Sequence, residues 1–309
     1  MCTNDILFAG ISWWSIWILV GVAACLFLYE KLCKVRKITP AANKFYYILG
    51  IISIILGFMS ASLVQSIYNF VDTGIWDWGG VTFLGGMFGG ALTFILGTLI
   101  FARGEVRAQF GEIGNIALAC IPTAHAFGRI GCFSVGCCYG AKVHEGDPFA
   151  FLGVTFKNGY AAGQLRYPTQ LFEAVFLFIL AAILIILVVK DVKINAIVYF
   201  GAYGIFRFFI EFLRDDERGS IGLVALTPSQ VLSIVCMIIA VLMLVFKLLR
   251  KYKPRAADAI LHFFRLDDAS TGGWTPWEPA KVNDAVIEQA EVSENAPENE
   301  SSDNETKEN

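Results

Sequence analysis

The chain has 309 residues, of which 56% are hydrophobic and only 17% are charged, and its formal net charge is −3. A soluble domain carries about 25% charged residues, so this composition excludes an ordinary soluble protein. We expect a membrane as the surrounding medium and no nucleic-acid partner.

Apolar runs of roughly 20 residues, the length that crosses the hydrocarbon core as a helix, recur along the chain. Backbone polar groups in lipid must be hydrogen-bonded internally, so runs of this length are helical. The sequence predicts an all-α polytopic integral membrane protein with about seven transmembrane helices. The fourth of these helices is the shortest. Their expected bounds are Ile11–Tyr29, Phe45–Tyr68, Val81–Phe101, Ile113–Phe127, Leu171–Val189, Ile194–Leu213 and Pro228–Leu249.

The basic residues that flank the predicted helices are distributed unevenly. Fourteen Lys and Arg lie in the first, third and fifth loops and after the last helix, against six on the other side. Cytoplasmic loops carry the excess of basic residues, so we expect the N-terminus outside and the C-terminus in the cytoplasm. An odd number of helices agrees with this orientation.

The composition changes sharply near the C-terminus. From Asp267 onward, twelve Asp and Glu stand against Lys281 and Lys307. Such a polar, acidic segment cannot bury enough apolar surface to fold alone. We therefore predict a membrane domain over residues 1–255, with an outer loop element at 128–166, and a largely disordered cytoplasmic tail over 256–309.

Ionisable residues inside the predicted helices are expensive in lipid and usually mark a functional site. Glu173 lies about 7–8 Å below the outer end of its helix, and Arg207 lies about 9 Å deep. Glu211 follows Arg207 by one turn on the same face, and Arg129 lies at the outer end of the fourth helix. Phospholipid head groups join their acyl chains at this depth, and the arginine fork suits phosphate. The four residues predict a lipid head-group site, in which a carboxylate holds an arginine or takes a proton.

Each of these residues also has a plainer interpretation. Arg207 and Glu211 can be a structural ion pair that locks two helices, and Arg129 can be a snorkelling residue at the interface. His125, taken alone, is more typical of a buried structural histidine than of a catalyst. The shared depth of the four charged residues favours a site over any one of these alternatives.

Three cysteines follow the fourth predicted helix, at Cys132, Cys137 and Cys138. Zinc sites favour Cys-x2–4-Cys pairs, and helical i,i+5 and adjacent spacing is poor for one, so we expect no metal. Outside the cytoplasm, Cys132 can instead form a disulfide with Cys137 or Cys138. Metal binding and thiol chemistry at these residues stay open as alternatives.

Four segments of the chain are similar to motifs of the prolipoprotein diacylglyceryl transferase family. Gly128-Arg-Ile-Gly-Cys-Phe-Ser-Val-Gly-Cys-Cys-Tyr-Gly140 resembles the family signature Gly-Arg-Ile-Gly-Asn-Phe-x-Asn-Gly-Glu-x-Trp/Tyr-Gly. Arg166-Tyr-Pro-Thr-Gln-Leu-Phe-Glu173 resembles Arg-x-Pro-Ser-Gln-Leu-Tyr-Glu. Tyr203-Gly-Ile-Phe-Arg-Phe-Phe-Ile-Glu-Phe-Leu-Arg214 resembles Tyr-Gly-x-x-Arg-Phe-x-x-Glu-x-x-Arg. Thr82-Phe-Leu-Gly-Gly-Met87 is a weaker match to Ser-Phe-His-Gly-Gly-Leu.

The resemblance implies a seven-helix enzyme of the bacterial cell membrane that needs no cofactor. Such an enzyme moves the diacylglyceryl group of phosphatidylglycerol onto the lipobox cysteine of a preprolipoprotein signal peptide, and glycerol phosphate leaves. Residues at family functional positions are Arg129, Arg207, Glu173 and Glu211.

The chain departs from the family pattern at several functional positions. Leu84 stands in place of a histidine, Trp14 in place of a tyrosine, Cys132 and Val135 in place of asparagines, and Cys137 in place of a glutamate. The phosphate-binding half of the implied site is kept, and much of the half that handles protons is not. His125, one turn before Arg129 on the same face, is the expected substitute base.

Two other functions fit the same residues. A membrane protein that binds an anionic phospholipid without turnover needs the arginines but no titrating base. A transferase that uses a different acceptor is the other alternative. A transporter fits less well, because the charges lie at one surface and no half-repeat with a midplane site is evident.

Overall fold

A computed structural model describes residues 6–8, 11–157, 159, 161–215 and 226–252 of the chain. The chain divides into two units, Met1–Phe264 and Arg265–Asn309, and every described residue belongs to the first. The predicted acidic tail, 256–309, lies outside the described residues.

Helices make up most of the described chain, with two short antiparallel β-ladders beside them. In chain order the elements are β1 (Ile6–Phe8), β2 (Ile11–Ser12), α1 (Trp13–Val35), α2 (Pro40–Thr73), α3 (Phe83–Phe101), α4 (Gly104–Ala108), α5 (Phe110–Ser134), β3 (Val154–Thr155), β4 (Leu165–Arg166), α6 (Thr169–Val189), α7 (Asn195–Ile210) and α8 (Pro228–Tyr252). Single 3₁₀ turns occur at Ala150–Leu152 and Glu211–Leu213.

Six helices of the described residues are long and apolar enough to cross a membrane, namely α1, α2, α5, α6, α7 with its 3₁₀ turn, and α8. The prediction of a mostly helical, multi-pass membrane protein is therefore confirmed. The third predicted span corresponds to α3, whose apolar stretch Gly85–Phe101 is shorter than the other six. The count of seven and the orientation stay predictions.

Helix α5 is longer than its sequence pattern suggested. The predicted fourth span, Ile113–Phe127, was the shortest, whereas α5 has 25 residues and continues to Ser134. Its mean hydropathy, 1.4, is the lowest of the six candidate spans, because polar residues such as Thr123 and His125 interrupt the apolar ones. The expected loop element 128–166 therefore begins only after Ser134, and Arg129 lies within the helix.

Local capping explains where several helices begin. The Ser12 side chain accepts a hydrogen bond from the Ser15 amide at 3.2 Å at the start of α1. Thr39 does the same for the Ala42 amide, and Pro40 occupies the first turn of α2. A side-chain oxygen at the N-cap satisfies an amide that has no partner within the helix.

Helix α5 is the centre of the packing, because α1 and α6 both lie against it and α7 also contacts it. Helix α8 packs on α7, and α2 pairs with α3. A buried cluster at one end of the bundle contains Tyr46, Ile113, Ile116, Leu184 and Val188. The opposite ends of α5, α6 and α7 carry the charged residues that the sequence singled out.

Candidate active site

One face of α5 presents three of the predicted site residues in a row. His125, Arg129 and Cys132 follow one another at i, i+4 and i+7, and residues at these spacings share a face of a helix. The rise of 1.5 Å per residue separates the first from the last by about 10 Å along the axis. The side chains of His125 and Arg129 both lie against Glu173 of α6, and His125 also packs on Tyr203 of α7.

Glu173 of α6 is the centre of the charged cluster, and it is fully buried. Arg129 Nη2 lies 3.0 Å from its Oε1 atom, and the Tyr203 hydroxyl donates a hydrogen bond to the same oxygen at 3.0 Å. Arg207 Nη1 lies 3.7 Å from Oε2. A buried carboxylate needs such partners, since an isolated ionised group in an apolar interior is very costly. Glu173 therefore links α5, α6 and α7 through one side chain.

Arg207 and Glu211 form the ion pair that their i,i+4 spacing predicted. Arg207 Nη2 lies 2.9 Å from Glu211 Oε2, and it also donates to the Ser229 hydroxyl at 2.9 Å. The Thr227 hydroxyl donates to Glu211 Oε1 at 2.8 Å. The pair is thus held by the N-terminus of α8 as well as by α7, and both of its members are buried.

The sequence did not single out four partners in this network as site residues, namely Tyr203, Arg214, Thr227 and Ser229. Tyr203, Arg207 and Glu211 recur every four residues, so the spacing alone could have placed Tyr203 on the same face. Arg214 Nε lies 3.8 Å from Glu211 Oε2, because the helix tightens to a 3₁₀ turn after Ile210. No local pattern predicted Ser229.

His125 lies beside the network at a greater distance. Its Nε2 atom is 3.7 Å from Glu173 Oε1, which is too long for a hydrogen bond. Its ring packs edge-on against Tyr203 with the centroids 5.4 Å apart. The histidine is therefore near the arginines, as expected from its position one turn before Arg129, and it is held by an aromatic neighbour.

The three cysteines come together where α5 ends. Their Sγ atoms all lie within 4.8 Å of one another, and no disulfide joins any two of them. The expectation that their spacing is poor for a metal assumed a continuous helix, but α5 stops at Ser134 and the chain turns through Gly136 at φ 68° and Cys138 at φ 63°. Side-chain hydrogen bonds from Cys132 and Cys137 lower the pKa of Cys138 from its ordinary value, with Arg214 and Arg129 adding to the effect.

The first turn of α6 holds the cysteine segment in place. The Thr169 hydroxyl donates to the Cys138 carbonyl at 2.9 Å, and the Gln170 side-chain amide donates to the Cys137 carbonyl. Both threonine and glutamine are fully buried. The segment Arg166–Glu173 thus supports the cysteine turn through Thr169 and Gln170 and contributes Glu173 to the charged cluster.

The loop after the cysteines closes over the same end of the bundle. Gly140 pairs with Arg214 in an isolated β-bridge, and its amide donates to the Tyr167 carbonyl at 2.9 Å. Arg166 Nη1 donates to the Gly140 carbonyl at 3.1 Å and to Asp215 Oδ2 at 2.7 Å. These contacts bring together three of the four segments that are similar to family motifs, namely Gly128–Gly140, Arg166–Glu173 and Tyr203–Arg214.

The charged cluster contains more positive than negative groups. Arg129, Arg207 and Arg214 stand against Glu173 and Glu211, which leaves one net positive charge when His125 is neutral. The Nε atom of Arg129 is buried and makes no hydrogen bond within the described residues. A guanidinium group can donate to two phosphate oxygens at once. With its one net positive charge, the cluster can therefore bind one phosphodiester anion.

A separate apolar groove of about 400 Å³ lies between α2 and α3, lined by residues such as Leu49, Leu56 and Gly97. None of the charged cluster residues lines it. The groove is open at the helix surface and is separate from the charged cluster.

A multi-pass helical membrane protein with a buried cluster of arginines and carboxylates at one end of its bundle is the class that fold and site define. The prolipoprotein diacylglyceryl transferase family profile matches residues 4–246. The chain therefore belongs to the prolipoprotein diacylglyceryl transferase family.

Relatives in two bacterial genera extend this comparison. A protein of Clostridium tetani named phosphatidylglycerol–prolipoprotein diacylglyceryl transferase is 30% identical over 231 residues, which cover 72% of this chain and 88% of that protein. A Clostridium perfringens protein of the same name, numbered 2, is 35% identical over 53% of this chain and 61% of its own length. A Francisella tularensis protein so named is 31% identical over 79% of this chain and 92% of its own.

Proposed function

We propose that this chain is a diacylglyceryl transferase of the bacterial cytoplasmic membrane. It takes the diacylglyceryl group from phosphatidylglycerol and attaches it to the lipobox cysteine of a preprolipoprotein. The observation that carries the proposal is the pair Arg129 and Arg207, which two helices hold against one buried carboxylate, Glu173. The names of the relatives supply the donor and the class of acceptor.

The charge of the cluster suits this donor. A phosphatidylglycerol head group carries a single negative charge on its phosphodiester, which matches the one net positive charge of the cluster. Arg129 and Arg207 are the residues that bind this phosphate. Arginine serves better than lysine here, because its planar fork reaches two oxygens at once.

The proposed transfer forms one bond and breaks one. The acceptor sulfur, as a thiolate, bonds to the glyceryl carbon that carries the phosphate ester, and the bond from that carbon to the ester oxygen breaks. The electron pair leaves with glycerol phosphate, which thereby gains the negative charge of the thiolate. Since this charge develops beside two arginines, they stabilise the transition state more than the bound lipid.

The acceptor thiol must first lose its proton, because the thiol itself is a weak nucleophile. We assign this proton to His125, whose imidazole lies one turn from Arg129 on the same face of α5. Glu173 and Glu211 each contact an arginine and a hydroxyl group, so we propose that they position Arg129 and Arg207. This division of roles leaves Leu84 and Trp14 without a chemical task.

The membrane arrangement is part of the proposal. Helices α1, α2, α3, α5, α6, α7 and α8 are the seven spans, with the N-terminus outside and the acidic segment 256–309 in the cytoplasm. Residues 1–255 form the transferase domain. The site then faces the outer leaflet, where phosphatidylglycerol and an exported signal peptide can both reach it.

The direct test is transfer by the purified protein in detergent. Phosphatidylglycerol with labelled acyl chains and a lipobox peptide are supplied, and the peptide mass is followed. A mass increase of one diacylglyceryl group is expected with the cysteine peptide and not with a matched serine peptide. Phosphatidylethanolamine, which lacks the net negative charge, is the matched donor control and is expected to give no product.

Two results contradict the proposal in different ways. Tight binding of phosphatidylglycerol with no transfer to any thiol identifies a lipid-binding protein instead. Transfer to a small thiol but not to the lipobox peptide identifies a transferase with another acceptor.

A further inference from the structure

The cysteine cluster is the strongest feature that the proposed function leaves without a role. Cys132, Cys137 and Cys138 contribute three sulfurs within 4.8 Å of one another, from a helix end and the turn that follows it. Cys138 has φ 63°, a backbone conformation that residues other than glycine rarely adopt. Conformations of this kind persist where surrounding structure fixes them, and they are common at ligand-binding sites.

The number and geometry of the sulfurs fit a metal ion better than a disulfide. A disulfide uses two of the three sulfurs and leaves the third without a function. Zinc bound by thiolates has bonds of about 2.3 Å, which at tetrahedral angles separate neighbouring sulfurs by about 3.8 Å. Sulfurs that already lie within 4.8 Å of one another need only small side-chain rotations to reach this separation.

The surrounding charges suit an anionic metal complex. Three thiolates and one divalent cation carry one net negative charge together. Arg129 lies close enough to Cys132 and Cys138 for their charges to interact, and Arg214 interacts with Cys138 in the same way. Two guanidinium groups would repel a bare cation, but they stabilise a complex whose net charge is negative.

We propose that Cys132, Cys137 and Cys138 bind one zinc ion, or an equally thiophilic divalent cation, as three thiolates and leave its fourth coordination position for the acceptor thiol. Three protein ligands with one open position are typical of catalytic rather than structural zinc sites. The identity of the fourth ligand rests on the proposed function, whereas the metal site itself rests only on the cysteine geometry.

Coordination would activate the acceptor for the transfer described above. The acceptor sulfur bonds to the metal and releases its proton, because a metal-bound thiol is deprotonated. The proton passes through intervening water to His125, because about 10 Å of α5 separates the imidazole from Cys132. The metal-bound thiolate then attacks the glyceryl carbon, its bond to the metal breaks, and glycerol phosphate departs with the electron pair.

The metal site is tested first by metal content, independently of any activity. The protein is purified in detergent under reducing, oxygen-free conditions, supplied with zinc and then dialysed. About one zinc per chain is expected for the wild type and for Cys236→Ser, a control in α8 outside the cluster, against less than about a tenth for the triple serine variant at 132, 137 and 138. Equal zinc in the triple variant and the wild type overturns the proposal.

Cobalt substitution gives a second measurement that needs no variant to fold. Cobalt in the wild-type site is expected to show the near-ultraviolet absorption of a thiolate-bound ion, and a lipobox cysteine peptide should raise it by about a third as a fourth thiolate binds. The matched serine peptide should leave it unchanged. A wild-type chain that binds no cobalt, and instead contains a disulfide among these cysteines, rejects the site.

The same samples separate this proposal from the proposed function. Removing zinc from an active enzyme should reduce transfer at least tenfold, and restoring it should recover the rate, while phosphatidylglycerol binding stays constant. Transfer that continues unchanged without zinc overturns the activating role. A chain that binds zinc and shows the peptide-induced cobalt change, but transfers nothing, contradicts the proposed function and supports the metal site.

Discussion

Glu173 is contacted by groups from two other helices, so its charge belongs to a network rather than to a single pair. Arg129 and Tyr203 share one of its oxygens, and Arg207 lies against the other. Removing one member of such a network leaves the remaining charges without compensation in a buried place. Conservative replacements that keep size and shape are therefore the informative probes of this site.

Replacing Arg207 by Lys should weaken phosphatidylglycerol binding about tenfold or more. Lysine keeps the charge, but it loses the planar fork, whose Nη1 atom lies 3.7 Å from Glu173 Oε2 while its Nη2 atom lies 2.9 Å from Glu211 Oε2. Binding of fluorescent lipid to the purified protein measures the change. Arg103→Lys is the matched control, since Arg103 is exposed at the end of α3. Unchanged affinity in both Arg207→Lys and Arg129→Lys would count against the head-group site.

Replacing Glu173 by Gln should lower the stability of the protein by about 3 kcal/mol, because two buried arginines lose their shared counter-charge. Gln keeps the shape and can still accept a hydrogen bond from Tyr203. An anionic lipid supplies the missing charge, so phosphatidylglycerol should raise the melting temperature of this variant more than that of the wild type. Thermal unfolding in detergent, with and without lipid, measures both effects. The exposed Glu105→Gln serves as control, and equal lipid stabilisation in all three proteins contradicts the prediction.

Replacing His125 by Gln should lower transfer about a hundredfold or more while lipid binding persists. Gln retains hydrogen bonding but cannot take a proton. Rates over a range of pH, measured beside lipid affinity, distinguish a lost base from a distorted site. If transfer is retained at every pH, His125 is a structural residue and the base must be sought elsewhere.

The sequence predicted the parts of the site that depend on local spacing. Arg207 and Glu211 pair as their i,i+4 separation indicated, and Arg129 and Glu173 lie at one level of the bundle, as their depths indicated. The positions of Arg214 and Ser229 could not be predicted. The first depends on a 3₁₀ turn and the second on how α8 meets α7, and neither leaves a periodic signal in the sequence.

At the scale of elements, the residue at which α5 ends determines whether the cysteines of the segment Gly128–Gly140 can come together. A helix through Cys138 would put its three sulfurs on different faces, whereas the turn after Ser134 brings them together. Hydropathy could not place this boundary, because Arg129 and His125 face other helices and not lipid. The helix therefore continues where an apolar run has already ended.

Replacing Gly140 by Ala should destabilise this turn. A Cβ atom at this position would lie 2.8 Å from the Leu213 carbonyl, the Tyr167 carbonyl and the Thr169 methyl, so backbone would have to move. We expect a loss of about 1–3 kcal/mol and a lower melting temperature. Gly114→Ala in α5 is the matched control, because nothing lies within 4 Å of the added atom, and it should not lose stability. Equal melting temperatures in the two variants would show that the loop yields at no cost.

At the scale of the whole molecule, the charged residues of the helix bundle gather at its two ends. At one end, Glu112 accepts Arg36 Nε at 2.6 Å and Lys193 Nζ at 3.3 Å. At the other end lies the Arg129 cluster. Arg129 follows Glu112 by 17 positions along α5, a rise of about 25 Å, which is close to the thickness of the hydrocarbon core. The two ends therefore fit opposite membrane surfaces, with the buried apolar cluster near the first.

The orientation that we predict puts the Arg129 end outside and the Glu112 end in the cytoplasm, because fourteen basic residues flank the Glu112 end against six at the Arg129 end. Two exposed positions report on it. His144 lies in the loop after the cysteines with 77% of its side chain exposed, and Glu105 is exposed in α4. A membrane-impermeant maleimide should label His144→Cys in intact cells but Glu105→Cys only after lysis, each measured above the labelling of the wild type.

The labelling of these two variants also indicates at which membrane surface the reaction takes place. Labelling of His144→Cys in intact cells would show that the Arg129 cluster lies at the outer leaflet, where an exported signal peptide meets phosphatidylglycerol. Labelling of Glu105→Cys in intact cells, with His144→Cys protected until lysis, would reverse the orientation. The positive-inside bias would then be overridden in this chain, and the site would have to draw its lipid and its acceptor from the cytoplasmic leaflet.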